Sequence, residues 1–266
     1  MRVRERNVGK EDVEVVVLGT GTSHGVPMIG CDCAVCASDD PRDRRTRCSI
    51  VVRWRGARFL IDTSPELRLQ CLANRIDAVD AVLFTHHHAD HVVGLDDLRR
   101  FNWLMKRELP CFGMPRTLER IERMFPYAFD PHLQTQSSKP ELSLRPIEGS
   151  TFVLGDVEVT TVPLYHGEMP VLGFRFGGFA YCTDCNRIPP EGFDRLRGVR
   201  VLILDALRRR PHPTHFTLEQ ALETADRIGA EQTFFTHMAH DLPHAETNAS
   251  LPGHRQLAYD GQVIRG

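Results

Sequence analysis

A group of histidines and one aspartate, in the stretch FTHHHADHVVG, carries the strongest chemical signal in this sequence. By spacing it is His-x-His-x-Asp-His, formed by His86, His88, Asp90 and His91. In an extended segment alternate side chains share a face, so His86 and His88 can point together, while Asp90 and His91 lie where a helical pattern begins. The four side chains can therefore converge on metal ions, and His87 is predicted to be a spacer.

Three further metal-competent residues stand at predicted strand ends in the second half of the chain: His166, Asp184 and His237. A lone histidine at a strand end is more often hydrogen-bonded or solvated than a ligand, but here the same location recurs. With the first group they exceed what one zinc ion uses, and they fit two ions that share a carboxylate and a hydroxide. The sequence thus predicts a dinuclear metal centre.

A second cluster, CDCAVC at residues 31–36, spaces Cys31, Cys33 and Cys36 as C-x-C-x-x-C. Three thiols this close in a loop can surround a tetrahedral ion but cannot all pair as disulfides. The cluster predicts a structural zinc in an inserted loop. The spacing leaves the fourth ligand open between His24, Cys48 and a residue far along the chain.

Composition and charge set limits on the class of protein. The chain has 266 residues, 41% hydrophobic and 26% charged, and no linker-like stretch, so we expect one globular domain over residues 1–266. A net charge of −2 offers no broad basic field, which makes nucleic acid an unlikely partner. The apolar runs are too short to cross a membrane and residues 1–14 lack a signal-peptide pattern, so we expect a cytoplasmic protein.

The elements that must position these residues alternate between strands and helices. Apolar runs predict strands at 13–18, 48–54, 58–62, 81–85, 142–147, 150–154, 157–163, 172–176, 179–183, 201–206 and 232–236. One helix is predicted after residue 63, capped by Thr63 or Ser64, with residues 67, 69, 72 and 76 inward, and another after residue 92 with Leu104 inward. A capped helix is predicted from Thr217 to Gly229, and a hairpin around residues 260 and 261. This order predicts an α/β fold with two sheets packed face to face and helices outside.

The motifs GTGTSHGVP, FTHHHADHVVG, LYHG, YCTD and FFTHMAH resemble the ordered motifs of the metallo-β-lactamase superfamily. The resemblance implies an αββα sandwich of two mixed sheets. It further implies that one ion is held by His86, His88 and His166, and the other by Asp90, His91 and His237. Asp184 would bridge the ions, which makes Asp90 and Asp184 candidate catalytic residues as well as ligands.

The cysteine cluster resembles the structural zinc loop of the phosphoribosyl cyclic phosphate phosphodiesterases of the carbon–phosphorus lyase pathway. That resemblance implies that His240 is the fourth ligand of the structural zinc. It also implies hydrolysis of a small cyclic phosphodiester by a hydroxide at two divalent ions, zinc or manganese. Two dications outweigh the carboxylates and the hydroxide, so the cleft would attract a phosphodiester anion.

The leaving alkoxide needs a proton, and His215 is the first candidate to supply it, with His212 in competition. The resemblance favours His215. A minority interpretation places an arginine of residues 39–47 near a substrate phosphate. Alternative functions are a tRNA 3′-processing nuclease and a cofactor-biosynthesis oxidoreductase of the pyrroloquinoline quinone pathway, but the intact His-x-His-x-Asp-His favours hydrolysis. The sequence leaves the oligomeric state open, a homodimer included.

Overall fold

The computed structural model describes residues 13–130, 132 and 138–266, so residues 1–12 of the N-terminal segment considered above lie outside the described residues. The strands are β1 (Glu14–Gly19), β2 (Ser49–Trp54), β3 (Ala57–Ile61), β4 (Ala81–Leu83), β5 (Leu109–Gly113), β6 (Leu142–Pro146), β7 (Thr151–Leu154), β8 (Val157–His166), β9 (Met169–Phe176), β10 (Phe179–Cys182), β11 (Val201–Asp205), β12 (Gln232–Thr236), β13 (Arg255–Leu257) and β14 (Val263–Arg265). The α-helices are α1 (Leu67–Asn74), α2 (Ala89–Val92), α3 (Arg99–Met105), α4 (Pro115–Met124), α5 (Pro126–Phe129), α6 (Pro190–Leu196), α7 (Leu218–Ile228) and α8 (His244–Ser250). Short 3-10 turns lie at Pro41–Asp43 and Val93–Leu98.

The strands form two sheets of seven strands each, in the orders β14-β1-β2-β3-β4-β5-β6 and β13-β12-β11-β10-β9-β8-β7. In the first sheet β1 to β3 pair antiparallel and β3 to β6 parallel. In the second, β7 to β10 pair antiparallel and β10 to β13 parallel. Both sheets are therefore mixed, and the α/β class is confirmed.

The central strands of each sheet are buried on both faces. In β1, Val15 and Val17 join the core cluster that contains Phe174 and Ile203 of the other sheet, whereas Val16 and Leu18 join the cluster under the helices. A strand covered on both faces reads as a continuous apolar run, which is what EVVVLG shows. Helices lie outside and the sheets pack face to face, so the predicted layer order is confirmed.

Two predicted helix faces were partly wrong. In α1, Leu67 is buried as expected, but Leu69 and Leu72 are 57% and 63% exposed, and Gln70 faces inward instead. The predicted cap is wrong as well, because Ser64 hydrogen-bonds Gln70 and no side chain caps the helix. The segment after residue 92 begins as a 3-10 turn, which rotates the following helix and leaves Leu104 42% exposed. In α1, the buried amide of Gln70 donates a hydrogen bond to the Arg47 carbonyl in the loop before β2.

The predicted C-terminal hairpin is also wrong. β13 pairs with β12 in the second sheet, and β14 pairs with β1 in the first. The turn around Asp260 therefore crosses from one sheet to the other. Asp260 accepts hydrogen bonds from Thr20 and Thr46, at 2.7 Å or less, which joins the crossing to the start of β2 and the end of β1.

The helix α7 has the predicted boundaries. Thr217 and Gln220 form a reciprocal capping box, and Gly229 ends the helix in the left-handed conformation. This fixed start determines where the preceding loop, residues 206–216, must end. None of the described helices is long and apolar enough to cross a membrane.

Candidate metal centre

The carboxyl ends of several strands meet at one edge of the sandwich, and the candidate ligands lie there. The histidine motif leaves β4, which is parallel to β3 and β5. In the second sheet β10, β11 and β12 run parallel, and β8 shares their direction because β9 is antiparallel to both neighbours. His166 ends β8, Asp184 follows β10 and His237 follows β12. Parallel strand direction is therefore what brings these residues together.

The potential ligand atoms form two groups that share one carboxylate. His86, His88, His166 and Asp184 make the first group, and Asp90, His91, Asp184 and His237 make the second. Within each group the ligand atoms lie within 4.8 Å of one another. These are the two sets that the resemblance implied; that they bind ions stays a prediction.

The two oxygens of Asp184 face different groups. Its Oδ2 lies 3.7 Å from Nε2 of His86, whereas its Oδ1 lies 3.2 Å from Nε2 of both His91 and His237. Asp90 belongs to the second group and not to the first, and its Oδ2 lies 3.4 Å from Nε2 of His91. One carboxylate therefore presents an oxygen to each group, which is the arrangement a bridging ligand needs.

Backbone strain marks the same edge. Asp62, Asp184 and His237 have positive φ angles of 62°, 53° and 60°, in the left-handed region that residues with a Cβ seldom adopt. Such strain is kept where the surrounding structure over-determines it, and it clusters at functional sites. Each of these three residues lies within two residues of a strand end, so the strain coincides with the edge that carries the candidate ligands.

Hydrogen bonds to the Nδ1 atoms fix the orientation of the imidazoles. Asp62 accepts from Nδ1 of His91 at 2.7 Å and from the hydroxyl of Thr85 at 2.8 Å, and Thr85 in turn lies 2.9 Å from Nδ1 of His86. Nδ1 of His166 donates to the Thr214 carbonyl at 2.9 Å. With Nδ1 protonated, Nε2 of each ring is free to bind a metal, as second-sphere partners of metal histidines usually arrange.

The Nε2 atoms of three of the candidate ligand histidines are suited to bind a cation. Nε2 of His86, His91 and His237 are buried and have no hydrogen-bond partner among the described residues. A buried nitrogen without a partner is destabilising, and a coordinated ion would satisfy it. The donor set of imidazoles and carboxylates suits zinc, manganese or iron.

The acid–base balance of the site points the same way. Burial lowers the pKa of His86 well below its ordinary value, which keeps that ring neutral. Although burial opposes it, the carboxylates of Asp184, Asp90 and Asp62 raise the pKa of His91 well above its ordinary value. The buried carboxylates thus favour positive charge nearby, which divalent ions would supply when bound.

The cysteine cluster converges with His240, and this group is separate from the first two. Nδ1 of His240 lies 3.2, 3.3 and 3.5 Å from Sγ of Cys31, Cys33 and Cys36. A tetrahedral zinc with its usual bond lengths separates sulfur and nitrogen ligands by about 3.6 Å. The four ligand atoms therefore fit one zinc ion. His24 and Cys48, the other residues considered for the fourth position, do not belong to this group within the part of the chain that is described.

His215 lies beside the two metal groups and is bound to a buried carboxylate. Its Nδ1 lies 2.9 Å from Oδ2 of Asp205, and its ring stacks on that of His237 with centroids 4.6 Å apart. Burial opposes protonation, but Asp205 raises the pKa of His215 to about 9. His212 is half-exposed, and its hydrogen bonds within the described part of the chain go to Thr214 in its own loop. His215, unlike His212, is thus buried and oriented by a carboxylate beside the ligand groups.

Two other sequence expectations concern neighbouring residues. His87 joins none of the metal groups formed by residues 13–130, 132 and 138–266, and its role as a spacer stays a prediction. In the 39–47 segment, Arg45 is buried and its guanidinium binds Asp43 and the carbonyls of Ala239 and Leu242. It thus holds the turn that contains His240, and it is not available to a substrate phosphate.

The sequence analysis does not identify Asp62, Thr85, Asp205 or Asn186. Asp62 and Thr85 hydrogen-bond the candidate ligands His91 and His86, and Asp205 hydrogen-bonds His215 and lies 3.8 Å from Nδ1 of His237. Asn186 hydrogen-bonds residues 165, 167 and 213, which flank His166 and precede His215. The sequence predicts Asp62 and Asp205 only as members of two strands. The available signal was an acidic residue at the end of a strand whose neighbours also end in candidate ligands, since parallel strands share an edge. That signal requires the strand order, which the sequence alone did not provide.

Comparisons with known proteins place this site in a family context. Residues 57–238 match the beta-lactamase superfamily domain. A crystal structure described as a new diphosphatase from the PhnP family superimposes with a TM-score of 0.89 and 42% identity, covering 96% of this chain and 97% of that one. The zinc-bound PqqB of Methylobacterium extorquens has a TM-score of 0.75 at 22% identity and 94% and 99% coverage, which supports the fold alone.

Curated relatives carry different names. An octanoyltransferase of Porphyromonas gingivalis is 40% identical over 256 residues, which cover 92% of this chain but 50% of that protein. This chain thus spans about half the length of that relative. A ribonuclease Z of Mycolicibacterium gilvum is 28% identical over 255 residues, covering 85% of this chain and 84% of the relative.

Proposed function

This chain belongs to the beta-lactamase superfamily, a fold of metal-dependent hydrolases, and from that membership we propose that it is a phosphodiesterase that cleaves a small cyclic phosphodiester. The observation that carries the proposal is the pair of ligand groups that share Asp184. Two ions of zinc or manganese would occupy these groups, and one structural zinc the cysteine group. The similarity to a diphosphatase of the PhnP family supports a phosphorus ester as the substrate class.

The chain's own residues divide the work between holding and orienting. His86, His88 and His166 would hold one ion, Asp90, His91 and His237 the other, and Asp184 both. When bound, the ions supply Lewis acidity, which lowers the pKa of water and stabilises negative charge on the phosphate oxygens. The Nδ1 bonds to Asp62, Thr85 and Thr214 keep the imidazoles in place, so little reorganisation is needed during reaction.

His215 would donate the proton to the leaving oxygen. Its Nδ1 is held by Asp205, which leaves Nε2 as the atom that can reach a substrate. The ring lies against both His166 and His237, with centroids 4.6 Å from each, so a donor there faces both ion positions. General acid catalysis of this kind contributes about 100-fold or more to turnover.

A diphosphate diester is the second candidate substrate, because the structural relative at 42% identity is described as a diphosphatase. A P–O–P linkage also presents a phosphorus centre and an anionic leaving group, which the same ligand arrangement would serve. It needs the proton from His215 less, since a departing phosphate is a much weaker base than an alkoxide. A tRNA substrate is disfavoured by the net charge of −2, despite the ribonuclease Z relative.

The proposal is tested with purified protein, loaded with zinc or manganese, against a panel of substrates. The panel contains bis(p-nitrophenyl) phosphate, ribose 1,2-cyclic phosphate, nucleoside 2′,3′-cyclic phosphates, ADP-ribose and a tRNA precursor. We expect metal-dependent turnover with the highest kcat/KM on a cyclic phosphate, and loss of that turnover in Asp184→Ala. An absence of turnover on every member would overturn the proposal, and preference for ADP-ribose or the tRNA precursor would replace it.

A further inference from the structure

The side chain of Asn186 joins two separate segments of the site. Its Oδ1 accepts a hydrogen bond from the backbone N–H of Gly167 at 2.9 Å, and its Nδ2 donates to the carbonyl of Pro213 at 2.8 Å. Its own backbone N–H donates to the Tyr165 carbonyl at 2.9 Å. Asn186 therefore contacts the residues on both sides of His166 and the loop just before His215, although it is none of the candidate ligands.

The segment that Asn186 reaches is the loop between β11 and α7. The ends of this loop are fixed by backbone bonds from Leu207 to Phe216 and from Phe216 to Cys185, both 3.0 Å. Its apex, residues 209–211, is exposed. Between these parts, the peptide groups of residues 213 and 214 are bound by Asn186 and by Nδ1 of His166. The position of His215 depends on how these two groups are held.

The hairpin and the loop approach each other closely. Gly167 has a φ of +62°, and a Cβ at this residue would lie 3.0 Å from Cγ2 of Thr214. Residue 167 must therefore be glycine for two reasons: the positive φ of the turn and the close approach of Thr214. The short distance leaves little room for the loop to shift without losing the bond from His166 to Thr214.

We propose that Asn186 is a positioning residue that locks the His215 loop against the His166 hairpin. Holding Pro213 sets the direction of the adjacent Thr214 carbonyl, which fixes the tautomer of His166 so that Nε2 faces His86 and His88. The same hold sets the distance of His215 from the substrate. One amide thus couples a candidate ligand to the proton donor, a role that rests on the function proposed above.

Two substitutions distinguish the two side-chain hydrogen bonds of Asn186. Asn186→Ala removes both hydrogen bonds, whereas Asn186→Asp keeps an acceptor for Gly167 but has no donor for the Pro213 carbonyl. We expect each variant to lower kcat on ribose 1,2-cyclic phosphate by about 10- to 100-fold, the usual effect of losing a group that orients a metal histidine. KM should change less than kcat.

The choice of leaving group distinguishes positioning from a general structural effect. p-Nitrophenolate departs without a proton, so both variants should lose less activity on bis(p-nitrophenyl) phosphate than on the cyclic phosphate, whose leaving group is an alkoxide. Competition with a chromogenic chelator gives a second measurement, in which Asn186→Ala should bind zinc about 10-fold more weakly or worse at one of the two ion positions.

Asn102→Ala is the matched control. Asn102 also joins two segments through its amide, binding the carbonyls of Arg107 and Glu141 at 2.9 and 2.8 Å, and neither partner is a candidate ligand or part of the His215 loop. It should lower thermal stability without changing kcat or zinc affinity.

Three results would overturn the inference: wild-type kcat in Asn186→Ala, equal losses on the two substrates, or zinc affinity and kcat losses matched by Asn102→Ala. If the wild-type protein shows no turnover, the proposed function fails, and the zinc measurement alone then decides whether Asn186 positions the site.

Discussion

At the scale of single residues, the structure separates residues that offer a free ligand atom from residues that orient one. Among the described residues, Nε2 of His86, His91 and His237 is buried with no hydrogen-bond partner. Asp62 and Thr85 bind the opposite ring nitrogens of His91 and His86, and Asp205 lies 3.8 Å from that of His237. A polar atom buried without a partner is unfavourable, so this pattern is stable when an ion completes it.

The role of His215 gives a prediction at this scale. His215→Ala should lower turnover of an alkoxide-releasing phosphodiester by about 100-fold or more, because the leaving oxygen then departs without a proton. Metal content, measured by atomic emission, should stay at the wild-type level, since His215 belongs to neither group that shares Asp184.

His212→Ala serves as the matched control for that experiment. His212 lies in the same loop, half-exposed, and its ring centroid is 5.1 Å from that of His215. It should keep most of the activity. Wild-type turnover in His215→Ala, or a larger loss in His212→Ala, would reject the assignment of His215 as the donor.

The two local motifs were accessible from the sequence because their spacing expresses them, whereas the sets that include His166, Asp184, His237 and His240 came from the family resemblance. His-x-His-x-Asp-His and C-x-C-x-x-C need only a strand, a turn and a loop to converge. Asp62 and Asp205 were not accessible, since Asp62 acts on His91, which is 29 residues away in sequence. Their role depends on which strands become neighbours, and that information is not local.

At the scale of elements, the turn after β12 links the two kinds of metal group. His237 belongs to the group that shares Asp184, and His240 to the cysteine group three residues later. Arg45 binds the carbonyls of Ala239 and Leu242 and so fixes the turn on both sides of His240. The cysteine loop and the edge that carries the candidate ligands are therefore connected through a few bonds.

This link predicts that the cysteine group supports activity from a distance. Cys33→Ser and His240→Ala should each lose one zinc per chain, lower the Tm by roughly 10 °C, and reduce turnover, because the turn that carries His237 loses its anchor. Metal analysis, thermal unfolding and the phosphodiesterase assay would measure the three effects.

Cys111→Ala provides the comparison, because Cys111 is buried in β5 and belongs to neither kind of group. It should lower stability while zinc content and turnover per folded molecule stay unchanged. Wild-type zinc content in both Cys33→Ser and His240→Ala would contradict a structural zinc at this position.

The crossing between the sheets gives a pH-dependent prediction. Burial raises the pKa of Asp260 to about 6, despite the bonds from Thr46 and Thr20. In the unfolded chain this carboxyl ionises near pH 4, so between about pH 4 and 6 the folded protein holds more protons, and its stability falls as pH rises. The loss from this group amounts to about 3 kcal/mol at most.

Denaturant unfolding of wild type and Asp260→Asn across pH 4 to 7 measures this effect. The variant loses hydrogen bonds to Thr46 and should be less stable at pH 4, but the difference between the two proteins should shrink as pH rises to about 6. A difference that is constant or grows over that interval would contradict a raised pKa for Asp260.

The errors at the element scale share a cause. The faces of α1 and α3, and the pairing of β13 and β14, depend on which layer each segment meets. Leu69 and Leu72 fit an apolar helical stripe and Gln70 does not. Gln70 nevertheless faces inward, because its amide binds Thr46 and the Arg47 carbonyl. Periodicity predicts that an element exists more securely than which side it buries.

At the scale of the whole molecule, strand direction explains why ligands from distant segments meet. Candidate ligands as far apart in sequence as His86 and His237 lie at one edge. Strand β4 of the first sheet and strands β8, β10 and β12 of the second sheet all end at this edge. The sequence predicted the two layers and the superfamily motifs, while strand order came from the structure. That the chain forms one domain stays a prediction.

The most direct test of the account is a metal titration that follows activity. Protein stripped of metal and then reloaded at the cysteine group should remain inactive on the phosphodiester. Activity should rise only as two further ions bind per chain, and Asp184→Ala, which removes the shared ligand, should bind fewer ions and stay inactive. Full activity with one further ion, or with none, would contradict a phosphodiesterase that works through a dinuclear centre.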